Sequence, residues 1–182
     1  MKFETCNIEG LVICKPNILY DKRGFFTETF RKDLFDNFTG ERSSFCQTNC
    51  SESNLGTIRG LHFQISPSSQ SKLVSVQSGE ILDVVLDLRR NSKTFGKYFS
   101  ILLNDINNYQ FFIPSGFAHG FSVLSNKARV QYMVDNFYDK KNEFGINPLD
   151  EDLNIDWKVK DPIISEKDIA NPNFDKNQHY NF

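Results

Sequence analysis

Between Glu80 and Arg89 the chain alternates. Leu82, Val84, Leu86 and Leu88 fall on one side of an extended strand, and Asp83, Asp87 and Arg89 fall on the other, because successive strand residues point to opposite faces. The pattern predicts a strand with one dry face and one charged face. Ala128 to Asp135 alternates as well, with Ala128, Val130, Tyr132 and Val134 opposed to Arg129, Gln131, Met133 and Asp135. Tyr132 thus shares a face with three apolar residues, and a phenol turned inward needs a hydrogen-bond partner, either a backbone carbonyl or a group in a cavity. Gln47, Asn49 and Ser51 share one parity; such a polar stripe suits either a solvated face or the wall of a cavity that takes a hydroxyl-rich ligand. Ser78-Gly79, Asn91-Ser92, Asn104-Asp105, Pro114-Ser115-Gly116 and Ser125-Asn126 interrupt runs rich in Val, Ile, Leu, Phe and Tyr. Turn signals at these intervals predict an all-β sandwich or barrel.

Residues 27–40 (TETFRKDLFDNFTG) carry the one plausible short helix, with Phe30, Leu34 and Phe38 four apart and Gly40 as its stop. From about Lys140 the pattern dissolves into Asn, Asp, Lys and Pro, which predicts loops and short helical turns packed on the barrel. No repeat or linker divides the chain, so residues 1–182 are expected to form a single domain.

Composition agrees with a β protein: Phe, a strand former that fills sheet interiors, occurs 18 times in 182 residues. The net charge of -2 gives no basic footprint for nucleic acid, though it leaves room for one phosphate-bearing ligand. Cys46 and Cys50 are four apart, the wrong spacing for paired zinc knuckles, so Cys6, Cys14, Cys46 and Cys50 are expected to be reduced thiols and no metal is expected. The N-terminus lacks an apolar signal region, and no apolar run approaches the roughly 20 residues of a membrane span. The expectation is a cytoplasmic protein without a membrane partner.

Three histidines occur: His62 in RGLHFQ (59–64), His119 in the turn-like run PSGFAHGF (114–121), and His179 in a polar tail. A scarce imidazole beside cationic and apolar neighbours is a candidate base, although a lone strand histidine also serves as a plain hydrogen-bonded residue. Strict alternation puts His62 and Gln64 on one side of their strand and Arg59 on the other. Gly60 can relieve that conflict by hosting a bulge. Lys72 opens a run whose same-face neighbours are Val74 and Val76, so its ammonium either enters an apolar interior or snorkels at the rim. Arg23, followed by a glycine and two phenylalanines in DKRGFFTE (21–28), suits phosphate binding and stacking but is also ordinary in a β-turn.

DKRGFF (21–26), QTNCS (47–51), RGLHFQ (59–64), QSKLV (70–74), GEILDVVLDLR (79–89) and IPSGFAHGF (113–121) resemble, in order and spacing, the dTDP-4-dehydrorhamnose 3,5-epimerases, and the likeness runs from about residue 10 to about residue 170. The resemblance implies an all-β, cupin-type double-stranded β-helix or jelly roll with a few short helices. It implies a homodimer in which each subunit lends N-terminal residues to the other's site. His62 matches the family's catalytic base, Tyr132 its general acid, and Asp168 the carboxylate that orients the base, with Lys167 beside it as a ligand contact. Arg23, Glu28, Gln47, Asn49, Arg59, Lys72, His119 and Glu143 match nucleotide-sugar contacts, and Phe26 and Tyr138 are similar to aromatics that pack around the ligand. The implied substrate is a nucleotide-diphospho-4-keto-6-deoxy sugar, inverted at C3, C5 or both on the way to a bacterial surface polysaccharide.

The chemistry fits those residue types. A carbon beside a ketone loses its proton readily only if the developing enolate oxygen meets fixed positive charge or donors, which Lys72 and His119 can supply. Inversion then needs a proton from the opposite face, so a histidine on one wall and a phenol on the other suffice, and no cofactor is needed. One departure concerns the nucleotide: where the family usually has tryptophan after the GI of its C-terminal loop, this chain has Pro148 in GINPLDEDLNIDW (145–157). Relatives of this fold also act on GDP-linked 4-keto heptoses, and some invert one carbon only. Two rival readings are a metal-dependent cupin dioxygenase, disfavoured because Gln64 stands where the second histidine of an HxH pair would be, and a sugar-binding module without activity, disfavoured by the presence of both His62 and Tyr132.

Overall fold

The computed structural model describes residues 1–40 and 42–182. Its frame is two antiparallel sheets and a hairpin. The larger sheet holds six strands, β1 (Lys2–Thr5), β2 (Val12–Lys15), β5 (Gln47–Asn54), β7 (Lys72–Ser78), β10 (Gln110–Ile113) and β12 (Lys127–Val134), in the order β1-β2-β10-β7-β12-β5. The second holds β6 (Ile58–Gln64), β8 (Glu80–Asp87), β9 (Tyr98–Asn104), β11 (Phe117–Val123) and β13 (Glu143–Gly145), in the order β13-β6-β11-β8-β9. Among the described residues, β3 (Ile18–Asp21) and β4 (Gly24–Thr27) pair only with each other. Helices are short: α1 (Lys32–Thr39) and α2 (Glu166–Ile169). All five turn signals fall between strands or at a strand's last residue, as the punctuation predicts.

Three apolar layers follow from the alternation. Between the sheets, Val74, Val76, Phe111, Ile113, Ala128 and Val130 from the larger meet Ile81, Val85, Phe117, Phe121 and Val123 from the smaller. On the outer face of the smaller sheet, Leu82, Val84, Leu86 and Leu88 are covered by Ile146, Leu153, Trp157 and the tail residues Phe174, Tyr180 and Phe182. The C-terminal stretch therefore packs on the barrel as expected. The outer face of the larger sheet, at Val12, Leu73 and Phe112, is covered by α1 through Phe35.

Two expectations are corrected. β8 has no solvated side: Asp83 and Asp87 are as buried as the leucines, because the strand is sandwiched between the inter-sheet core and the C-terminal cover. Asp87 is ion-paired with Arg89 and accepts hydrogen bonds from the Ser92 and Thr94 hydroxyls, and Asp83 is hydrogen-bonded to His119. The helix occupies only the second half of 27–40 and buries Phe35, while Leu34 and Phe38 stay exposed. Phe35 meets Phe112 edge-on at 4.9 Å, a contact set by the sheet below the helix. Gly40 ends α1 as predicted, at φ +74°, the left-handed conformation that glycine adopts freely.

Candidate active site

The inter-sheet core fills one end of the barrel; the other end opens into a cavity of about 820 Å³, ample for a small-molecule ligand. Its wall includes the polar stripe of β5 (Gln47, Asn49, Ser51), which lines the cavity rather than a solvated face. Arg59, His62 and Gln64 also line it together. They do so because β6 is irregular where it pairs with β11: His62 lies opposite His119 and Arg59 opposite Phe121, so Gly60 and Leu61 share the single residue Gly120. Gly60 sits at φ +118°, and a Cβ there would fall 2.6 Å from the Gly120 Cα. Only glycine fits that crossing, and the bulge it permits turns Arg59 to the same side as His62.

His62 Nε2 lies 2.6 Å from Asp168 Oδ1. Burial alone would raise the Asp168 carboxyl, but the hydrogen bond and charge of His62, the Gly60 N–H and the Ser165 cap hold it below the ordinary carboxylate range. Ser165 caps α2, and α2 delivers Asp168 to the cavity more than a hundred residues from its partner. A second pair lies on the neighbouring strands: His119 Nε2 is 2.9 Å from Asp83 Oδ2. Burial pushes the Asp83 carboxyl above its ordinary range, against the pull of His119 and Lys72. Sequence reasoning missed Asp83 as a site residue. The near-continuous apolar run around it (ILDVVLDL, 81–88) was the signal, since such runs mark strands buried on both faces. His119 itself lies within strand β11; only Pro114–Gly116 of its run is a turn.

Lys72 enters the interior instead of snorkelling. It is 7% exposed, and desolvation lowers its pKa to about 8 despite Asp135, Asp83 and Glu143 nearby. Tyr132 lines the cavity from β12, with Asn49 in hydrogen-bonding reach; burial, opposed by Arg59, raises its phenol above the ordinary value, so it stays protonated at neutral pH. At the mouth, Glu143 accepts hydrogen bonds from Tyr138 Oη at 2.9 Å and Lys167 Nζ at 2.6 Å. Burial opposes these two bonds, yet they hold Glu143 below its ordinary range.

Of the residues expected at the site, His62, Tyr132, Asp168, Gln47, Asn49, Arg59, Lys72, His119, Tyr138, Glu143 and Lys167 line this one cavity. Arg23, Phe26 and Glu28 lie outside its lining, on or just after the β3–β4 hairpin, where Leu19, Tyr20, Phe25 and Phe26 are exposed and Arg23 pairs with Asp21 of its own turn. Pro148 is also outside the lining; its carbonyl accepts the Trp157 indole N–H at 2.7 Å. Gln64 is a clamp: its amide donates to the Ser68 and Phe137 carbonyls and accepts from the Asp139 N–H.

A sequence model of the dTDP-4-dehydrorhamnose 3,5-epimerases matches residues 5–176. The chain belongs to this family. It is 44% identical over 167 residues to the dTDP-4-dehydrorhamnose 3,5-epimerase of Shigella flexneri, covering 92% of each chain. Among solved structures it is similar to the dTDP-4-dehydrorhamnose 3,5-epimerase of Elizabethkingia anophelis, with 43% identity, a TM-score of 0.94 and 99% of each chain covered. It is also similar to the dTDP-6-deoxy-D-glucose-3,5-epimerase of Legionella pneumophila solved with dTDP-4-keto-L-rhamnose, with 42% identity, a TM-score of 0.90 and coverage of 94% of this chain and 92% of that one. The cupin-type, all-β expectation holds, and the chain is an isomerase of the nucleotide-sugar epimerase kind. Among the described residues no helix is long and apolar enough to cross a membrane.

Proposed function

We propose that residues 1–182 form one epimerase domain that inverts C3 and C5 of a dTDP-linked 4-keto-6-deoxy sugar by proton removal on one face and proton return on the other. The observation that carries the reading is one imidazole and one phenol lining a single cavity, His62 from the smaller sheet and Tyr132 from the larger. His62, held by Asp168, takes the proton from the carbon beside the ketone. The C–H electron pair moves toward the ketone oxygen, and the resulting enolate charge is met by Lys72 and His119 in a partly dry site, where such charges act strongly. Tyr132 then donates to the same carbon from the opposite side, and the electrons return to that carbon as the ketone re-forms. No electrons are gained or lost overall, so the chemistry needs no redox partner or cofactor.

Gln47, Asn49, Arg59, Glu143, Lys167 and Tyr138 are read as ligand contacts around this centre. Arg23, Phe26 and Glu28 are read as contacts that each subunit of a homodimer lends to the other, a reading supported by an exposed apolar hairpin on a chain whose own cavity it does not line. Incubation with dTDP- and GDP-linked 4-keto sugars in deuterated water, with deuterium counted at each carbon, tests the reaction. Label at both C3 and C5 of the dTDP sugar is expected. Folded protein that exchanges no carbon of any sugar refutes the enzyme reading.

A further inference from the structure

The His62–Asp168 pair joins two segments far apart in sequence, and its 2.6 Å separation requires α2 to be held in place on the sheet. Alternate residues of the β13 edge meet the α2 segment in register. Glu143 accepts from Lys167 Nζ at 2.6 Å, Gly145 lies against the Asn171 amide, and the Asn147 N–H donates to the Pro172 carbonyl at 2.8 Å. The same edge carries the register of the base, because Gly145 pairs with His62 and Glu143 with Gln64.

The middle contact leaves no room for a side chain on the strand. A Cβ built on Gly145 would stand 2.5 Å from Asn171 Cγ and 2.7 Å from Oδ1. Its backbone is not in the left-handed region, so the demand for glycine is one of space alone. Among the described residues Asn171 Nδ2 is buried without a hydrogen-bond partner, a cost that native folds carry only for a reason. The Asn171 backbone N–H, in turn, donates to the Asp168 carbonyl at 3.3 Å. Asn171 therefore links β13 directly to the residue that grips the base.

We infer that the Gly145–Asn171 contact is a positioning device for catalysis: it sets the height of α2 above β6 and thereby the His62–Asp168 hydrogen bond. Neither residue lines the cavity. This inference rests on the epimerase reading for its kinetic consequence, but its structural consequence is measurable on ligand-free protein. The readouts are kcat and KM, together with the downfield N–H proton resonance of the His62–Asp168 hydrogen bond. Gly145→Ala should push the amide aside, lower kcat at least tenfold with KM within threefold, and shift or broaden that resonance. Asn171→Ala, which leaves a void, should lower kcat several-fold. The Gly145→Ala/Asn171→Ala double variant, whose new methyl fills the vacated space, should recover kcat to within threefold of wild type and restore the resonance. Single variants with wild-type kcat and resonance overturn the inference, as does a folded double variant no better than either single. If Gly145→Ala fails to fold, an Asn171→Ala variant with unchanged kcat and resonance overturns it equally. A wild-type protein that shows the resonance but exchanges no sugar proton defeats the epimerase reading and leaves the seam itself testable by the resonance alone.

Discussion

Lys72 shows at the scale of one residue how this site is built at the expense of stability. Its pKa drops from 10.5 to about 8 through burial, a shift of the charged form by ~3 kcal/mol. Between those two values the unfolded chain binds more protons than the folded one, so this residue makes stability rise with pH through that window, and its full penalty applies at pH 7. Lys72→Met should therefore raise the unfolding free energy at pH 7 by up to ~3 kcal/mol, with the gain fading toward pH 10, while abolishing epimerisation. Denaturant titrations at both pH values check this, and a variant destabilised at pH 7 would contradict it. The same lysine predicts an alkaline limb near pH 8 in kcat/KM, because the ammonium proposed to meet the enolate is lost there. Tyr132, protonated at neutral pH, is the proton donor in this scheme. Tyr132→Phe should slow inversion by on the order of 100-fold or more, while wash-in of deuterium at the first carbon by His62 falls much less. Equal losses in the two assays would remove Tyr132 from that role.

At the scale of elements, the decisive feature is the bulge in β6. Without it, strict alternation separates Arg59 from His62; with it, the two share a cavity. Gly60→Ala should remove activity and destabilise the fold by roughly 3 kcal/mol or more, since the methyl would strike the backbone of β11 at a positive φ. A variant with wild-type melting and turnover would show that the strand tolerates a different crossing. This bulge was legible in advance because a glycine inside a strand pattern has few other uses. The face of α1 was not. Its spacing selected Phe30, Leu34 and Phe38, whereas the sheet took Phe35, because a helix only eight residues long is oriented by what it packs on. The acidic face of β8 was misread for a similar reason: alternation reports that two faces differ, and only the layers above and below decide whether the polar face meets water or a cavity.

At the scale of the whole molecule, the β3–β4 hairpin leaves apolar side chains exposed and Arg23, Phe26 and Glu28 away from their own chain's cavity. In the proposed homodimer these residues complete the partner's site. Mixing an Arg23→Ala chain with a His62→Ala chain, after denaturation and refolding together, should then restore about a quarter of wild-type activity, because half of the random dimers hold one intact site of two. No recovery from the mixture, with dimers present, would place those residues outside the site. What the sequence by itself determined is what local geometry controls: strands and their turns through period-two alternation, the stop of α1 and the bulge at Gly60 through the conformational freedom of glycine, and the choice of titratable groups. What only the tertiary structure decided is which of those groups meet without a family likeness to point to them: Asp83 with His119, and Lys72 in the interior rather than at the rim, with its lowered pKa; the Asp168–His62 pair, more than a hundred residues apart, was reachable from sequence only through the resemblance. Pairings of that kind depend on sheet order and on the exclusion of water, and neither is encoded in the spacing of residues along one strand.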